Sequence, residues 1–350
     1  MTSNSPITAT GGLWKWSKDA LYWTSTSHGP KCLLCPHECV IGEGKAGLCH
    51  SRVNHRGKIY SIAYGNPCAI NVDPIEKKPF NHFLPGSKAF SIGTAGCNLA
   101  CLNCQNWTIS QASPTETRNY DLMPDKLIEQ ALVMKCESIA YTYSEPIIFY
   151  EYALDSARLA RQAGLCNVLV TAGYINTEPL LEWCKYIDAA SVNLKSFDPD
   201  IYRKLNRASL DPVLNTLKIL AKEGVWLEII KLVVPDWTDN LDMIKRMCDW
   251  LVENEFSNYP IHFDRFHPDY KLTQLSATPI GVLIQARDIA HASGMKHVYI
   301  GNVPGLDAQN TVCLKCKQVV VERRGFIVVK NELVKGCCPK CGDKIAGVWE

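Results

Sequence analysis

The chain has 350 residues, of which 47% are hydrophobic, and its formal net charge is +2. This length and composition allow one large buried core with a smaller additional unit. The near-neutral charge gives no global attraction to nucleic acid or to an anionic membrane, so a partner has to be recognised by a local site. Residues 1–19 are polar, and no stretch is apolar enough to span a bilayer. These features predict a cytoplasmic protein without a signal peptide or membrane contact.

Seventeen cysteines are present, and most of them fall into three clusters spaced as metal ligands. Such spacing fits thiolate metal sites in a reducing compartment better than a disulfide scaffold. The three clusters are Cys32, Cys35, Cys39 and Cys49; then Cys97, Cys101 and Cys104; then Cys313, Cys316, Cys338 and Cys341. The isolated cysteines are interpreted as small buried hydrophobes.

The first cluster lies near the start of the chain and has the spacing C-x2-C-x3-C-x9-C. Four thiolates complete a metal site, so both zinc and a second iron-sulfur cluster are compatible with it, and His37 could replace one cysteine. The metal would serve either as a structural staple or as an auxiliary redox or substrate-binding cluster. The following residues, 66–87, are rich in proline and polar groups, which predicts a loop. We expect this loop, with Glu76, Lys77, Lys78 and His82, to close over the active site.

Residues 89–305 alternate strand-like apolar stretches with amphipathic helical patterns. Repeated βα units of this kind predict a parallel sheet in a full or partial (β/α) barrel, with the chemistry at the carboxyl ends of the strands. Strands are predicted over 89–96, 138–143, 166–173, 188–195, 226–235, 261–266 and 297–303. Helices are predicted over 124–134, 146–163, 178–187, 211–224, 240–254 and 279–294.

The second cluster, with spacing C-x3-C-x2-C, directly follows the first predicted barrel strand. A [4Fe-4S] cluster needs four ligands, so three cysteines leave one iron open to another ligand. A zinc ion completed by a distant residue is the alternative, although structural zinc sites usually use paired C-x2-C turns.

The third cluster consists of two C-x2-C pairs that flank two short predicted strands around Arg324 and Gly325. Paired turns of this type bring four thiolates into a tetrahedron, which predicts a zinc ribbon with a structural role. A rubredoxin-like iron site and a docking role are the alternatives. Cys337 would then be a spare thiol, and the mixed local charge does not favour nucleic acid.

The C-x3-C-x2-C loop after the first strand of a (β/α) barrel resembles the signature of the radical S-adenosylmethionine (radical SAM) superfamily. The resemblance implies a [4Fe-4S] cluster whose open iron binds the amino and carboxylate groups of SAM. It also implies reductive cleavage of SAM to methionine and a 5′-deoxyadenosyl radical, which abstracts hydrogen from a substrate. The fold expected from it is a partial (β/α)6-type radical SAM barrel.

Further segments resemble this superfamily at the ends of later strands. The segment TYSEP implies that Ser144 and Glu145 contact the methionine amino group of SAM. The segment SVNLKSF resembles the D-x-K element of pyruvate formate-lyase activating enzymes and places Lys195 near SAM, with Asn193 where that element carries aspartate. The segments LVVPDWTDN and DRFHPDYK resemble the ends of the fifth and sixth strands, and the second of these offers His267 as a catalytic residue.

One position departs from the superfamily pattern. The residue before the third cysteine, often aromatic and close to adenine, is Asn103 here, so Trp107 is the candidate for an aromatic surface. Simpler roles also fit some of these residues: Glu145 could stabilise a helix start, Lys195 could be a solvated lysine at a strand end, and His267 could be an ordinary loop histidine.

Taken over nearly the whole chain, the motifs resemble the radical SAM protein of the AmmeMemoRadiSam system, which is akin to pyruvate formate-lyase activating enzymes. This resemblance implies Memo-like and AMMECR1-like protein partners and an electron donor such as flavodoxin or ferredoxin. The predicted domains are a cysteine-rich segment with the covering loop (1–88), the barrel (89–305) and the ribbon (306–350).

Three functions are compatible with these features. The first is a radical SAM enzyme acting on an unidentified small molecule or through partner proteins. The second is an activase that abstracts hydrogen from a glycine of a glycyl radical enzyme. The third is a non-catalytic zinc protein in which all three clusters are structural.

Overall fold

The computed structural model describes residues 12–350, so most of the polar leader on which the signal-peptide prediction rests lies outside the described residues. The cysteine-rich N-terminal part forms two small antiparallel sheets, a β2–β3 hairpin and a sheet with the order β1-β5-β4. The strands are β1 (Lys18–Asp19), β2 (Trp23–Thr26), β3 (Gly29–Cys32), β4 (Arg52–His55) and β5 (Lys58–Ser61). The three cysteines Cys32, Cys35 and Cys39 lie at the end of β3 and in the turn after it.

The central sheet has eight strands in the order β13-β12-β11-β10-β9-β8-β7-β6. Strands β7 to β13 are mutually parallel, and β6 adds to one edge in the antiparallel direction. The two edge strands do not pair with each other, so the barrel is open. The strands are β6 (Ala69–Pro74), β7 (Lys88–Gly93), β8 (Ser138–Tyr141), β9 (Cys166–Thr171), β10 (Ala189–Asn193), β11 (Trp226–Val233), β12 (Ile261–Arg265) and β13 (Val298–Gly301).

Helices connect the parallel strands and cover the outer face of the sheet. Asn240 caps α7 by accepting from the backbone N–H of Met243 at 2.8 Å, and α8 ends at Gly294, whose φ of +110° suits glycine. The helices are α1 (Trp107–Ser110), α2 (Pro124–Val133), α3 (Tyr150–Gln162), α4 (Thr177–Cys184), α5 (Pro199–Ile201), α6 (Leu210–Lys222), α7 (Leu241–Glu253) and α8 (Ile280–Ser293). Short 3-10 helices cover Ile75–Lys77, Pro114–Glu116, Pro146–Phe149 and Phe256–Asn258, and a π-helical turn covers Tyr202–Asn206.

The small residues on the inner face of the sheet create room inside the barrel. Ile75, Phe80 and Phe83 fill this room and form one buried cluster with Ala89, Ala140, Val168 and Ala189. The backbone N–H groups of Asn81 and His82 donate to the Glu228 carboxylate on β11 at 3.0 and 2.7 Å. Because these contacts lie near the amino ends of the strands, residues 75–84 close the end of the barrel opposite the cysteine loop.

Two expectations for residues 66–87 are therefore wrong. The segment is not entirely a loop, because Ala69–Pro74 forms an edge strand that pairs with β7. It also does not cover the end of the barrel that carries the cysteines: Glu76 and His82 lie at the amino end, while Lys77 and Lys78 bond to Asp73 at 2.9 and 2.7 Å. Neither feature could be predicted from the sequence. The proline-rich composition indicated a loop, and it did not reveal that Phe80 and Phe83 pack against the barrel sheet.

The C-terminal part is a three-stranded antiparallel sheet in which the order is β14-β15-β16. Its strands are β14 (Thr311–Val312), β15 (Val319–Arg324) and β16 (Ile327–Asn331). The chain then returns to the barrel, where the N–H of Val348 donates to the His82 carbonyl at 2.7 Å. The predicted α/β architecture is confirmed, and among the described residues no helix is long and apolar enough to cross a membrane.

Candidate active site

The loop after β7 brings Cys97, Cys101 and Cys104 to the carboxyl edge of the sheet. Cys101 is buried and the other two are partly exposed. The backbone N–H of Leu99 points at Cys97 Sγ at 3.3 Å, and Cys104 Sγ lies 3.2 Å from the Ser110 hydroxyl. Burial raises the pKa of the Cys97 thiol well above its usual value, and the Glu145 charge adds to the effect. The Cys97 sulfur therefore needs a cationic partner to exist as a thiolate.

Two glycines allow this loop to pack closely. A Cβ at Gly93 would lie 2.6 Å from the Thr142 carbonyl, and one at Gly96, where φ is +106°, would lie 2.4 Å from the Cys49 carbonyl. Both distances are too short for any side chain. Glycine is therefore required at both positions, because the backbone of Thr142 approaches Gly93 and the backbone of Cys49 approaches Gly96.

Asn206 holds the loop from the other side of the site. Its side-chain N–H donates to Cys101 Sγ at 3.1 Å, and its carbonyl accepts from the N–H of Ala100 at 3.1 Å. Asn206 is fully buried and ends the π-helical turn after β10. Sequence reasoning missed this residue, and the only signal would have been an asparagine within a short, irregular helical segment.

Ser144 and Glu145 lie after β8, next to the cysteine loop. The Ser144 hydroxyl donates to the Thr94 carbonyl at 2.6 Å. The Glu145 carboxylate is buried and accepts from the Ala172 N–H at 2.7 Å and from the Thr171 hydroxyl. Burial raises the pKa of Glu145 despite these bonds. The carboxylate thus links the ends of β8 and β9 at the edge where the cysteines lie.

Lys195 follows β10, and its positive charge interacts with the three cysteines and with Glu145. Burial lowers its pKa, but the charges of Cys101, Cys104, Cys97 and Glu145 outweigh this and raise the pKa overall. Asn193 lies two residues earlier, and its amide donates to the Thr171 carbonyl at 3.4 Å. A second lysine, Lys231, donates to the Lys195 carbonyl at 2.7 Å and was not predicted as part of the site.

The remaining predicted residues lie at the mouth of the barrel. Trp107 is 41% exposed and stacks on Tyr270, with ring centroids 5.2 Å apart and planes inclined by 15°. Asn103 has a buried side-chain oxygen without a hydrogen-bond partner. His267 is exposed, with Nε2 3.4 Å from the Asn302 carbonyl, and it does not contact the cysteines through any observed hydrogen bond.

Asp264 is a further group that sequence reasoning did not select. It lies on β12 against β13, because a Cβ at Gly301 would be 2.0 Å from its Oδ1. Burial raises the pKa of Asp264 to about 6, with His262 acting in the opposite direction. A carboxyl group with this pKa can hold or release a proton near neutral pH.

The cysteine loop fits the groups that the sequence motif implies. The side-chain oxygens of Thr94, Asn103 and Asn206 are buried and without hydrogen-bond partners, which suits a polar ligand at this edge. The three sulfurs are not all within 4.8 Å of one another, as they would be around a single ion. A cluster that binds each sulfur through a different iron accommodates this wider spacing.

The C-terminal cysteines are arranged differently. Cys313 Sγ lies 3.6 Å from Cys341 Sγ, and Cys316 Sγ lies 3.6 Å from Cys338 Sγ. All four sulfurs lie within 4.8 Å of one another, and in the described part of the chain no other group of three or more such ligand atoms is this compact. Cys337 stays outside the group, with its sulfur 3.7 Å from the Lys335 carbonyl.

Comparison with known proteins shows the superfamily of the chain. The sequence model of the Radical SAM superfamily matches residues 91–251, which contain the end of β7, the cysteine loop and β8 to β11. A Methanocaldococcus jannaschii protein, described as uncharacterized, is 41% identical over 317 residues, which are 90% of this chain and 94% of that protein. The chain belongs to the radical SAM superfamily.

Relatives with assigned functions are more distant. The pyruvate formate-lyase-activating enzyme of Clostridium pasteurianum is 23% identical over 204 residues, covering 52% of this chain and 81% of that enzyme. The crystal structure of a radical SAM methyltransferase from Sphaerobacter thermophilus has a TM-score of 0.50 at 12% identity, covering 65% of this chain and 70% of that one. The chain is thus a radical SAM enzyme that is homologous to glycyl-radical-enzyme activases.

Proposed function

We propose that this radical SAM enzyme binds a [4Fe-4S] cluster through Cys97, Cys101 and Cys104 and uses it to cleave SAM reductively. The group supplies one-electron cleavage of SAM to methionine and a 5′-deoxyadenosyl radical, which abstracts hydrogen from a substrate held in the barrel. The observation that carries the proposal is the convergence of the three thiols of the cysteine loop with Lys195 and Glu145 at the carboxyl edge of the sheet.

The protein's own residues have separable tasks in this proposal. Lys195 offsets the negative charge of the thiolates, and Asn206 donates to Cys101 and fixes the loop. Ser144, Glu145 and Asn193 line the edge where a polar ligand such as SAM would meet them. Asn103, whose side-chain oxygen is unpartnered, and Trp107, whose ring is partly exposed, are proposed to contact the adenine ring of SAM. His267 and Asp264 are the candidates for proton handling near the substrate.

The proposal is tested on protein reconstituted anaerobically with iron and sulfide. We expect a reduced iron-sulfur EPR signal that changes when SAM is added, together with formation of 5′-deoxyadenosine. Replacing Cys97, Cys101 or Cys104 by Ala should abolish both. The matched control is Cys184→Ala, since Cys184 lies in α4 outside every cluster. Undiminished SAM cleavage in a variant of the loop would contradict the proposal.

An activase function is the second candidate, because the homology to glycyl-radical-enzyme activases favours a protein substrate. It predicts that a partner protein gains a stable glycyl radical when it is mixed with the reduced enzyme and SAM. The experiment is EPR of the mixture, repeated with a partner whose acceptor glycine is replaced by alanine. A small-molecule substrate predicts that no such radical accumulates.

The remaining elements of the proposal concern partners, metals and location. We propose zinc in the ribbon, bound by Cys313, Cys316, Cys338 and Cys341, and an electron donor of the flavodoxin or ferredoxin class. Memo-like and AMMECR1-like proteins are proposed as physiological partners, and the cytoplasm as the location. Co-purification of a tagged chain with each candidate partner, under anaerobic conditions, tests the partner assignment.

A further inference from the structure

The four N-terminal cysteines surround a cavity of their own. Cys32, Cys35, Cys39 and Cys49 all line it, together with apolar side chains such as Leu34 and Ile148. Cys32 is buried and the other three are partly exposed.

The spacing of these sulfurs does not fit a single zinc ion. Tetrahedral zinc with Zn–S bonds of about 2.3 Å places its sulfurs less than about 4 Å apart. The ribbon meets this condition, since its closest sulfurs are 3.6 Å apart and all four lie within 4.8 Å. No three of the N-terminal sulfurs lie within 4.8 Å of one another, and a cavity remains between them. A cube that carries one cysteine on each of four irons accounts for both facts.

A buried cation lines the same cavity. Arg52 is 1% exposed, its guanidinium pairs with Glu151, and one N–H donates to the Leu21 carbonyl at 2.8 Å. Its Nε, however, has no hydrogen-bond partner. A buried guanidinium N–H needs a hydrogen-bond acceptor, so the free N–H of Arg52 indicates an anionic group in the cavity. An iron-sulfur cluster with four thiolate ligands carries a net negative charge and would supply this group.

The cavity also adjoins the first cluster site directly. His37, between Cys35 and Cys39, lies 2.7 Å through Nε2 from the carbonyl of Asn98, and Asn98 itself lines the cavity. Asn98 is the neighbour of Cys97. On the other side, the Cys49 carbonyl packs against Gly96: a Cβ placed on Gly96 would lie only 2.4 Å from the carbonyl oxygen. The two sites are therefore separated by the backbone of residues 96–98.

We propose that Cys32, Cys35, Cys39 and Cys49 bind a second [4Fe-4S] cluster, and not zinc, and that this cluster exchanges electrons with the first. With a cysteine on every iron it offers no open position to SAM, so its chemistry is electron transfer. One electron enters from a reduced flavodoxin- or ferredoxin-class protein and leaves to the first cluster, with no bond made or broken. The electron-transfer role rests on the proposed function, whereas the occupancy of the cavity does not.

The occupancy is tested by analysing iron, sulfide and zinc in the full chain after anaerobic reconstitution. We expect about eight irons per chain in the natural sequence and about four in a variant with Cys97, Cys101 and Cys104 all replaced by Ala. The signal of the reduced variant should not respond to SAM. The Cys184→Ala control should retain all eight, and circular dichroism should show that each variant is folded.

Each outcome bears on one proposal. About four irons in the natural sequence, with a SAM-dependent signal and extra zinc, would overturn the second cluster and leave the proposed function standing. About eight irons with no response to SAM would overturn the proposed function and leave the second cluster standing. If the triple variant does not fold, the natural sequence still decides the question, because only part of its reduced signal should shift when SAM is added.

The electron-transfer role is tested with Cys35→Ala and Cys49→Ala combined. We expect reduction of the first cluster by reduced flavodoxin to slow by an order of magnitude or more, while reduction by dithionite, a small molecule, is affected less. Unchanged reduction by flavodoxin in a variant that has lost four irons would overturn this role.

Discussion

Asn206 illustrates how one uncharged side chain can tune the cysteine loop. Its N–H donates to Cys101 Sγ at 3.1 Å from a fully buried position. Hydrogen bonds to ligand sulfur stabilise the more negative, reduced state of an iron-sulfur cluster. In the proposed cluster site, the Asn206 bond would therefore raise the electron affinity of the cluster.

Replacing Asn206 by Ala should make the reduction potential of the first cluster more negative. An EPR-monitored redox titration measures this shift. The control is Asn215→Ala, because the Asn215 side chain donates to the Thr177 hydroxyl at the surface and its removal should leave the potential unchanged. Equal potentials in both variants would show that the Asn206 bond has no electronic effect.

Lys231 gives a prediction about pH. Burial and the charge of Lys195 lower its pKa to about 7, whereas an unfolded lysine titrates near about 10.4. Below the folded pKa the protein holds an unfavourable buried charge, and this cost disappears as the pH rises above the unfolded pKa. Lys231→Met should therefore be more stable than the natural sequence near pH 7, and the difference should shrink toward pH 10.

Urea unfolding at several pH values between about 7 and 10 measures this difference. Lys222→Met is the control, because Lys222 lies at the end of α6 and makes no ion pair among those observed. A difference between Lys231→Met and the natural sequence that stays constant with pH would contradict the lowered pKa.

At the scale of elements, Arg323 on β15 fastens the ribbon to the barrel. Its fully buried guanidinium donates to the Gln309 carbonyl at 3.0 Å and to the Thr311 hydroxyl at 2.9 Å, and it lies 3.7 Å from Glu76. Removing one partner of a buried ion pair leaves an uncompensated charge and typically costs about 3–5 kcal/mol. Sequence reasoning treated this arginine only as part of a strand.

We expect Arg323→Ala to reduce the free energy of unfolding by about 3 kcal/mol. Arg324→Ala is a closely matched control, because the side chain of Arg324 is 80% exposed and its ion pair with Glu322 spans 3.9 Å. Its effect should stay within about 0.5 kcal/mol. Chemical denaturation of both variants, with metal content held equal, makes the comparison.

The helices and parallel strands were predictable from the sequence because their signals are local. The predicted helix over 279–294 corresponds to α8 (Ile280–Ser293), and the predicted strand over 188–195 contains β10 (Ala189–Asn193). The edge strand Ala69–Pro74 was missed because it depends on pairing with β7, a non-local contact that a proline-rich segment conceals. The site shows the same difference. The spacing of the cysteines predicted their role, whereas no local pattern marks Asn206 or Asp264, which could be recognised only from the folded structure.

At the scale of the whole molecule, the three cysteine clusters differ in the space between their sulfurs. The ribbon sulfurs are close enough to share one ion, and those of the other two clusters are not. Spacing along the chain could not separate these cases at the N-terminus, because C-x2-C-x3-C-x9-C is compatible with either metal group. The distances between sulfur atoms are the information that the sequence lacks.

The zinc proposed for the ribbon should stabilise the barrel as well as the ribbon. A structural zinc site contributes binding free energy to folding, and this ribbon covers residues 75–84 at the amino end of the barrel. Removing zinc with a chelator should therefore lower the melting temperature of the barrel as well. Near-ultraviolet circular dichroism of the barrel tryptophans follows this, and a transition unchanged by the chelator would show that the two parts unfold independently.

The attachment of residues 348 and 349 to the barrel has a consequence for the order of folding. Val348 forms a bridge with Phe83, and the Trp349 ring lies 5.0 Å from the ring of His82, so residues more than 250 positions apart in the chain meet at the amino end of the barrel. Contacts between such distant residues carry a larger loop-closure entropy cost than the pairing of neighbouring strands. We therefore expect this end of the barrel to close late in refolding, after the parallel strands have paired.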